Sequence, residues 1–471
     1  MTFFNRKKEL SFFSSQKDLD EKRMIVLYGR RRVGKTALLK RAFPDAAYFF
    51  VDTRSSETLL KDFSGNLIDG VYDSWEVFFR NLLKEQAFIL FDEFQNFSKV
   101  DKSIFSIFQK VWDETDSTAK VVFCGSYVGM MKKIFMDSKE PLFGRSDFNI
   151  QLKPFSFPAT FEMLKTFGYS FDEVVIWYSL LGGIPHYLWR LKNKNEFYRE
   201  LKELFFSDFA PLKEEGKNLL IGEFGSQHPG YFSVLQAISD KELEMGEIAD
   251  KSSLKNNTAA KYVNELVNYY DILEPVRNFF STNKRGKRYR IKDNFLAFWF
   301  RYIYSNYDIV EFNPDSAFRF AKENLMSRVG FVFEDIVKGT LPLLFNAGHL
   351  PFLPDRIGKS WGKVPNEKGE SYEIDIVGEK ENRLLVIECK WREKQVNDKQ
   401  INRFLKKCSY LKTKKEIIPV FINKSGFKNP DRHKDQLILL DKDDMLDVYD
   451  LSLRKNVDTN IDDYLQRFSK G

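Results

Sequence analysis

The segment Gly29-Arg30-Arg31-Arg32-Val33-Gly34-Lys35-Thr36 has the spacing G-x-x-x-x-G-K-T, and its neighbours supply the context that spacing requires. The apolar run Met24–Tyr28 reads as a strand before it, and Ala37-Leu38-Leu39-Lys40 reads as a helix after it. Glycines let backbone N–H groups from Gly29 to Ala37 close around phosphate oxygens, and the helix N-terminus adds its positive dipole. Lys35 is expected to reach the β- and γ-phosphates, and the Thr36 hydroxyl to ligate Mg²⁺. The chemistry is that of a Mg-nucleoside triphosphate. ATP is expected over GTP because no guanine-reading N-K-x-D follows downstream.

A partner motif stands at a second apolar run. Phe88-Ile89-Leu90-Phe91 ends in Asp92-Glu93, where Asp92 would hold Mg²⁺ and Glu93 would polarise the attacking water. A third run, Val121–Cys124, ends at Gly125-Ser126. Ser126 either senses the γ-phosphate from a neighbouring strand tip or forms a simple turn. Arg145, in Pro141-Leu142-Phe143-Gly144-Arg145, is either an arginine finger or a solvated loop residue.

Near the other end, Tyr372–Gly378 and Leu384–Trp391 read as two strands joined by the polar stretch Glu379 to Arg383. Period-two alternation puts Glu388 and Lys390 on one face and Cys389 on the other. Asp375 on the adjacent strand can then meet Glu388, giving a carboxylate pair suited to Mg²⁺, with Lys390 placed to position water or to stabilise phosphorane charge. Glu215-Gly216-Lys217 has the same E-x-K spacing, but no apolar strand precedes it.

These residues need elements to hold them. The runs Met24–Tyr28, Ala47–Val51, Ala87–Phe91, Val121–Cys124 and Phe148–Leu152 alternate with amphipathic stretches, the pattern of a parallel sheet covered on both faces. From about residue 159 the periodicity is helical, broken at Gly182-Gly183-Ile184-Pro185. Between residues 216 and 305, helices at Gly246–Asp250 and Thr258–Leu266, with Thr258 as N-cap, precede a hairpin. The hairpin tip carries Lys284, Arg285, Lys287 and Arg288. Those parts compose a winged helix-turn-helix, whose tip either neutralises DNA phosphates or is solvated on an internal lid. The expected division is 1–158, 159–215, 216–305 and 316–471.

Composition narrows the class. The 471 residues hold 74 basic and 67 acidic side chains, a net charge of +7 that permits a nucleic-acid partner without requiring one. The 47 Phe predict aromatic cores. Cys124, Cys389 and Cys408 and the four His are scattered, so neither a disulfide framework nor a zinc cluster is legible. The N-terminus has no signal-peptide apolar core, and no run reaches the about 20 apolar residues of a membrane span, so a cytoplasmic protein is expected.

Taken together, Phe4-Asn5-Arg6-Lys7-Lys8-Glu9-Leu10, the phosphate loop, Phe-Asp-Glu-Phe-Gln, Gly125-Ser126 and Pro-Leu-Phe-Gly-Arg resemble the archaeal-type ATPases over roughly residues 1–300. These belong to the STAND branch of the AAA+-related P-loop proteins. Gly182-Gly183-Ile184-Pro185 is similar to that family's lid signature. The resemblance implies an ATP-driven switch, with homo-oligomerisation on activation as one expectation. Residues 316–440 resemble the PD-(D/E)xK nuclease superfamily, often fused to such ATPases, and imply a restriction-endonuclease-like α/β domain. Glu334 matches the acid that superfamily carries on its first helix and would join Asp375 and Glu388 at the metal, while Ile374 stands where a proline is usual. Two functions remain open: an ATPase switch controlling a DNA-directed nuclease, or a STAND-type regulatory ATPase with a non-cleaving adaptor domain that binds DNA or protein.

Overall fold

The computed structural model describes residues 3–65, 72–226, 228–281, 286–365, 367 and 369–455. The five expected N-terminal strands form: β1 (Arg23–Tyr28), β2 (Ala47–Phe50), β3 (Phe88–Asp92), β4 (Lys120–Gly125) and β5 (Phe148–Gln151). They make one sheet in the order β2-β3-β4-β1-β5, every pair parallel. Because β4 lies between β1 and β3, the tips carrying the phosphate loop and Asp92 flank the tip carrying Ser126. Crevices beyond the carboxyl ends of such strands are where α/β sheets bind ligands.

The phenylalanines build the core beneath those tips. Phe91 stacks between Phe49 and Phe123 at centroid distances of 5.2 and 5.7 Å, and Phe94 sits 4.2 Å from Phe123. Burying rings of this size supplies roughly 2–3 kcal/mol each, which fixes the strand carrying Asp92.

Helices Phe157–Thr166, Phe171–Leu181 and Phe197–Phe205 follow, the second opened by a capping box between Ser170 and Glu173. At the Gly182-Gly183 break the chain turns tightly: Phe155 N donates to Gly183 O at 2.7 Å. A Cβ on Gly183 would stand 1.8 Å from the Phe155 carbonyl oxygen. Backbone cannot yield as a flexible side chain does, so Gly183→Ala is expected to cost about 3 kcal/mol. An unchanged urea midpoint for that variant would refute the packing described.

The third segment holds helices Glu215–Phe224, Pro229–Ile238, Met245–Ser252 and Asn256–Asn268. Strands β6 (Leu243–Glu244), β7 (Leu273–Val276) and β8 (Arg288–Ile291) form an antiparallel sheet in the order β6-β8-β7. Thr258 is not an N-cap. The helix starts two residues earlier, at Asn256, with Lys255 in the cap position. The hairpin-tip residues Lys284 and Arg285 lie outside the described residues. The helix Asn294–Tyr302 continues from β8, capped by Asp293, which accepts from Leu296 N at 2.8 Å.

A 33-residue helix, Pro314–Asn346, leads into a mixed five-stranded sheet. Its strands are β9 (Arg356–Lys363), β10 (Ser371–Lys380), β11 (Arg383–Lys390), β12 (Glu416–Asn423) and β13 (Ile438–Leu440), in the order β13-β12-β11-β10-β9. The expected strand pair is β10–β11, antiparallel and joined by a tighter turn than expected, with Lys380 opposite Arg383. Sequence reading did not anticipate β9, whose Gly358, Lys359 and Lys363 dilute its apolar alternation.

The hairpin is not free. Beyond β7, Asn278 bridges Lys359 of β9, and Phe279 N donates to Lys359 O at 2.7 Å. Arg288 pairs with Glu373 at 3.0 Å and lies 4.3 Å over the Trp361 ring. This corrects the expectation for Arg288: it is committed to the C-terminal sheet rather than presented to DNA. The three cysteines are free and buried. Among the described residues, no helix is long and apolar enough to cross a membrane.

Candidate functional site

Lys35, Thr36, Asp92, Glu93 and Ser126 converge at the strand tips. Gly34 caps the helix Lys35–Ala42 with φ 95°, a left-handed conformation that lets the loop turn inward. The Lys35 ammonium donates to Gly29 O at 2.8 Å, Arg30 O at 3.1 Å and Ser126 Oγ at 2.9 Å. Thr36 Oγ1 donates to Asp92 Oδ2 at 2.7 Å, and the Tyr48 hydroxyl donates to the same oxygen at 2.9 Å. Glu93 adopts a left-handed backbone, φ 54°, and both its oxygens are engaged. Ser126 Oγ donates to one at 2.5 Å and Gln95 Nε2 to the other at 2.5 Å. A non-glycine residue in this region is strained, and such strain concentrates at functional sites. Ser126 thus touches both Lys35 and Glu93. Tyr48 had no sequence signal, because it reaches the site from the neighbouring strand β2, and Gln95 was read only as the end of the Phe-Asp-Glu-Phe-Gln stretch, without a role.

The loop arginines reach across to the third segment. Arg30 forms an ion pair with Asp293, and Arg32 lies 3.0 Å from Glu215. Arg31 and Ala37 are exposed. A cavity of about 20 Å³, lined by Arg30, Arg31, Ser126, Tyr127, Glu223 and Tyr270, separates the loop from helix Glu215–Phe224. That volume takes about one water.

Glu223 in this cavity was not singled out from sequence. One carboxylate oxygen accepts from Val128 N at 3.3 Å, and the other is buried with no hydrogen-bond partner. Burial pushes its carboxyl up to about 7, against the pull of the Val128 and Gly129 amides and of Arg30 and Lys35. A carboxyl raised on folding binds extra protons in the native state, so its contribution to stability is lost as pH rises from about 4.5 to 7. Glu223→Gln is expected to match the wild type near pH 4.5 and exceed it by on the order of 1–3 kcal/mol near pH 7.5. Parallel melting curves at the two pH values would contradict this.

Arg145 stands elsewhere. The next strand, β5, begins beside the start of β1, where Asp147 N donates to Met24 O at 2.9 Å, so Arg145 is at the end of the sheet opposite the phosphate loop. It donates to Asp113 at 2.8 Å and to Pro141 O at 2.9 Å. Its place in the chain's own nucleotide site is therefore corrected.

In the C-terminal sheet, Lys390 lies 2.8 Å from Glu388 and 3.5 Å from Asp375. Asp375 accepts from Cys389 N at 2.8 Å. Burial raises the Asp375 carboxyl, and the Glu388 carboxylate raises it further. Lys407, not identified from sequence, donates to both Glu388 oxygens at 2.9 Å. Glu334 points to the same region but is held by Lys359 at 2.9 Å. Burial raises the Glu334 carboxyl, as does Asp375, while Lys359 opposes them. Among the described residues no three or more His, Cys, Asp or Glu side chains form a metal-binding group. Glu334, expected beside Asp375 and Glu388, is ion-paired with Lys359, whereas Asp375 and Glu388 share Lys390.

With this geometry in hand, known proteins place the chain. Residues 21–161 match the family described as "AAA domain", and residues 299–402 match "Archaea bacterial proteins of unknown function". An uncharacterized protein of Methanocaldococcus jannaschii is 30% identical over 422 residues, covering 87% of this chain and 92% of its own length. The chain belongs to that protein's family. A stretch of 39 residues is 51% identical to an uncharacterized ATP-binding protein of the same organism, covering 8% of this chain and 66% of the relative. Among solved structures, a Walker-type ATPase of Pyrococcus abyssi is similar at a TM-score of 0.47 and 19% identity, covering 63% of this chain and 96% of its own. The family member described here therefore carries an AAA-type P-loop ATPase domain on a parallel α/β sheet.

Proposed function

We propose that the chain binds ATP with Mg²⁺ at the loop Gly29–Ala37, hydrolyses it, and uses the nucleotide state to govern a C-terminal module that cleaves nucleic acid. The observation that carries the first part is the meeting of Lys35, Thr36, Asp92, Glu93 and Ser126 at three adjacent strand tips. Thr36 and Asp92 offer the hard oxygens that Mg²⁺ takes, 2.7 Å apart. The ion would neutralise phosphate charge when bound. Lys35 exchanges its backbone partners for phosphate oxygens. Glu93, fixed by Ser126 and Gln95, orients and deprotonates the attacking water.

For the C-terminal module, the support is the Asp375–Glu388 pair with Lys390 beside it. Two carboxylates suit Mg²⁺, which keeps several waters, and Lys390 is close enough to both to hold a water or a phosphate oxygen. Asp375, Glu388 and Lys390 are the residues proposed to act. The helices before β7 and the β7–β8 hairpin make a winged helix-turn-helix in this reading, serving as an internal joint. Lys287 is its described cation at the tip for nucleic acid.

A second reading is a regulatory ATPase whose last module is a non-cleaving adaptor. Lys407 favours it by taking both oxygens of Glu388, as does Lys359 by taking Glu334. Plasmid cleavage by the purified protein with Mg²⁺ or Mn²⁺, with and without ATP, separates the two. The first reading expects ATP-dependent cleavage that Glu388→Ala reduces at least about a hundredfold. Absence of cleavage under every condition would favour the adaptor.

A further inference from the structure

We propose that the segment from β8 into the helix Asn294–Tyr302 is a strap that carries the nucleotide state of the phosphate loop to the edge of the C-terminal sheet. The inference rests on ATP binding at Gly29–Ala37 and concerns how that site is regulated and read.

Within six residues the strap grips both sides. Arg288 holds Glu373 at 3.0 Å and stacks on Trp361, both in the C-terminal sheet. Arg290 holds Asp335 at 2.8 Å and Glu274 at 2.6 Å, and Asp335 adjoins Glu334 on the long helix. Asp293 holds Arg30 of the phosphate loop. Asn294 then ties the strap to Arg328, whose Nη2 donates to the Asn294 carbonyl at 3.1 Å. Residues 288 to 293 span roughly 17 Å when extended. β8 is the central strand of its sheet, paired with β6 on one side and β7 on the other.

The loop end of the strap is the end a triphosphate must disturb. Lys35 now donates to the carbonyls of Gly29 and Arg30, and it cannot keep both while reaching phosphates. Arg30, the loop end of the pair with Asp293, also lines the small cavity between the loop and helix Glu215–Phe224. Phosphate charge attracts Arg30 and repels Asp293, so one ligand both breaks the pair and pushes the strap outward. The far end then pulls on Glu373, two residues before Asp375, and on the short edge pairing of Phe279 with Lys359. A ligand that binds one arrangement better than the other shifts their populations by that difference.

Amide hydrogen exchange on the full chain, with and without Mg²⁺ and a non-hydrolysable ATP analogue, tests this. In the wild type the analogue is expected to protect residues 29–37 and to speed exchange at Phe279 and along β9 by about fivefold or more. Asp293→Asn keeps an N-cap of equal quality, so the helix stays. It is expected to show fast β9-edge exchange without nucleotide and little further change with it. Arg288→Gln cuts the other end: loop protection persists while the β9 edge is fast in both states. A protected loop with an unchanged β9 edge in the wild type would overturn the strap alone. An unprotected loop would overturn the nucleotide reading, and the strap with it.

Discussion

Replacing Lys35 by Ala is expected to lower ATP turnover at least about a hundredfold and to weaken nucleotide binding, with the fold retained. Loss of one preorganised charged donor at a developing oxyanion costs about 10²–10³ in rate. Lys35 is buried, and its three present partners are the Gly29 and Arg30 carbonyls and Ser126. The loop is expected to tolerate its absence, because strand β1 is paired to β4 and β5 and Gly29 N donates to Gly125 O at 3.3 Å. Phosphate release and thermal melting measured on the same preparation check this. A variant that melts as the wild type does and still turns over ATP would remove Lys35 from the chemistry.

Glu93→Gln is expected to separate binding from hydrolysis. Its carboxylate is held by Ser126 on one oxygen and by Gln95 on the other, on a strained backbone. Asp92 is engaged by Thr36 and Tyr48. Gln keeps the shape of Glu but cannot take a proton from water. General-base loss costs about 10²–10⁴ in rate. Nucleotide affinity is expected to stay within about threefold, because neither the loop nor Lys35 changes. Nucleotide retention with single-turnover phosphate release measures both. Equal loss of affinity and turnover would assign Glu93 to binding instead.

The phosphate loop, the five parallel strands and the Asp92-Glu93 tip were legible because their signals are local. A run of β-branched and aromatic residues, a glycine pattern and an acid pair are each complete within a few consecutive residues. The strand pair holding Asp375 and Glu388 was legible for the same reason, since alternation fixes which side chains share a face. What escaped the sequence depends on partners far along the chain. Arg145 reads as a site residue until the parallel register of β5 with β1 places it at the wrong end of the sheet. Arg288 reads as one of the hairpin cations open to DNA until Glu373 and Trp361, more than 70 residues on, take it. Lys407 and Lys359 are unremarkable among so many lysines, and only folding brings them against Glu388 and Glu334. Glu223 carries no motif at all; its meaning lies in an unpartnered oxygen beside the loop.

The most direct test of the central claim is phosphate release by the wild-type protein supplied with ATP, titrated with Mg²⁺. The convergence of Lys35, Thr36, Asp92, Glu93 and Ser126 predicts ADP and phosphate in equal amounts, with turnover that rises with Mg²⁺ and disappears when the metal is chelated. No bound nucleotide at millimolar ATP, or turnover indifferent to Mg²⁺, would contradict it.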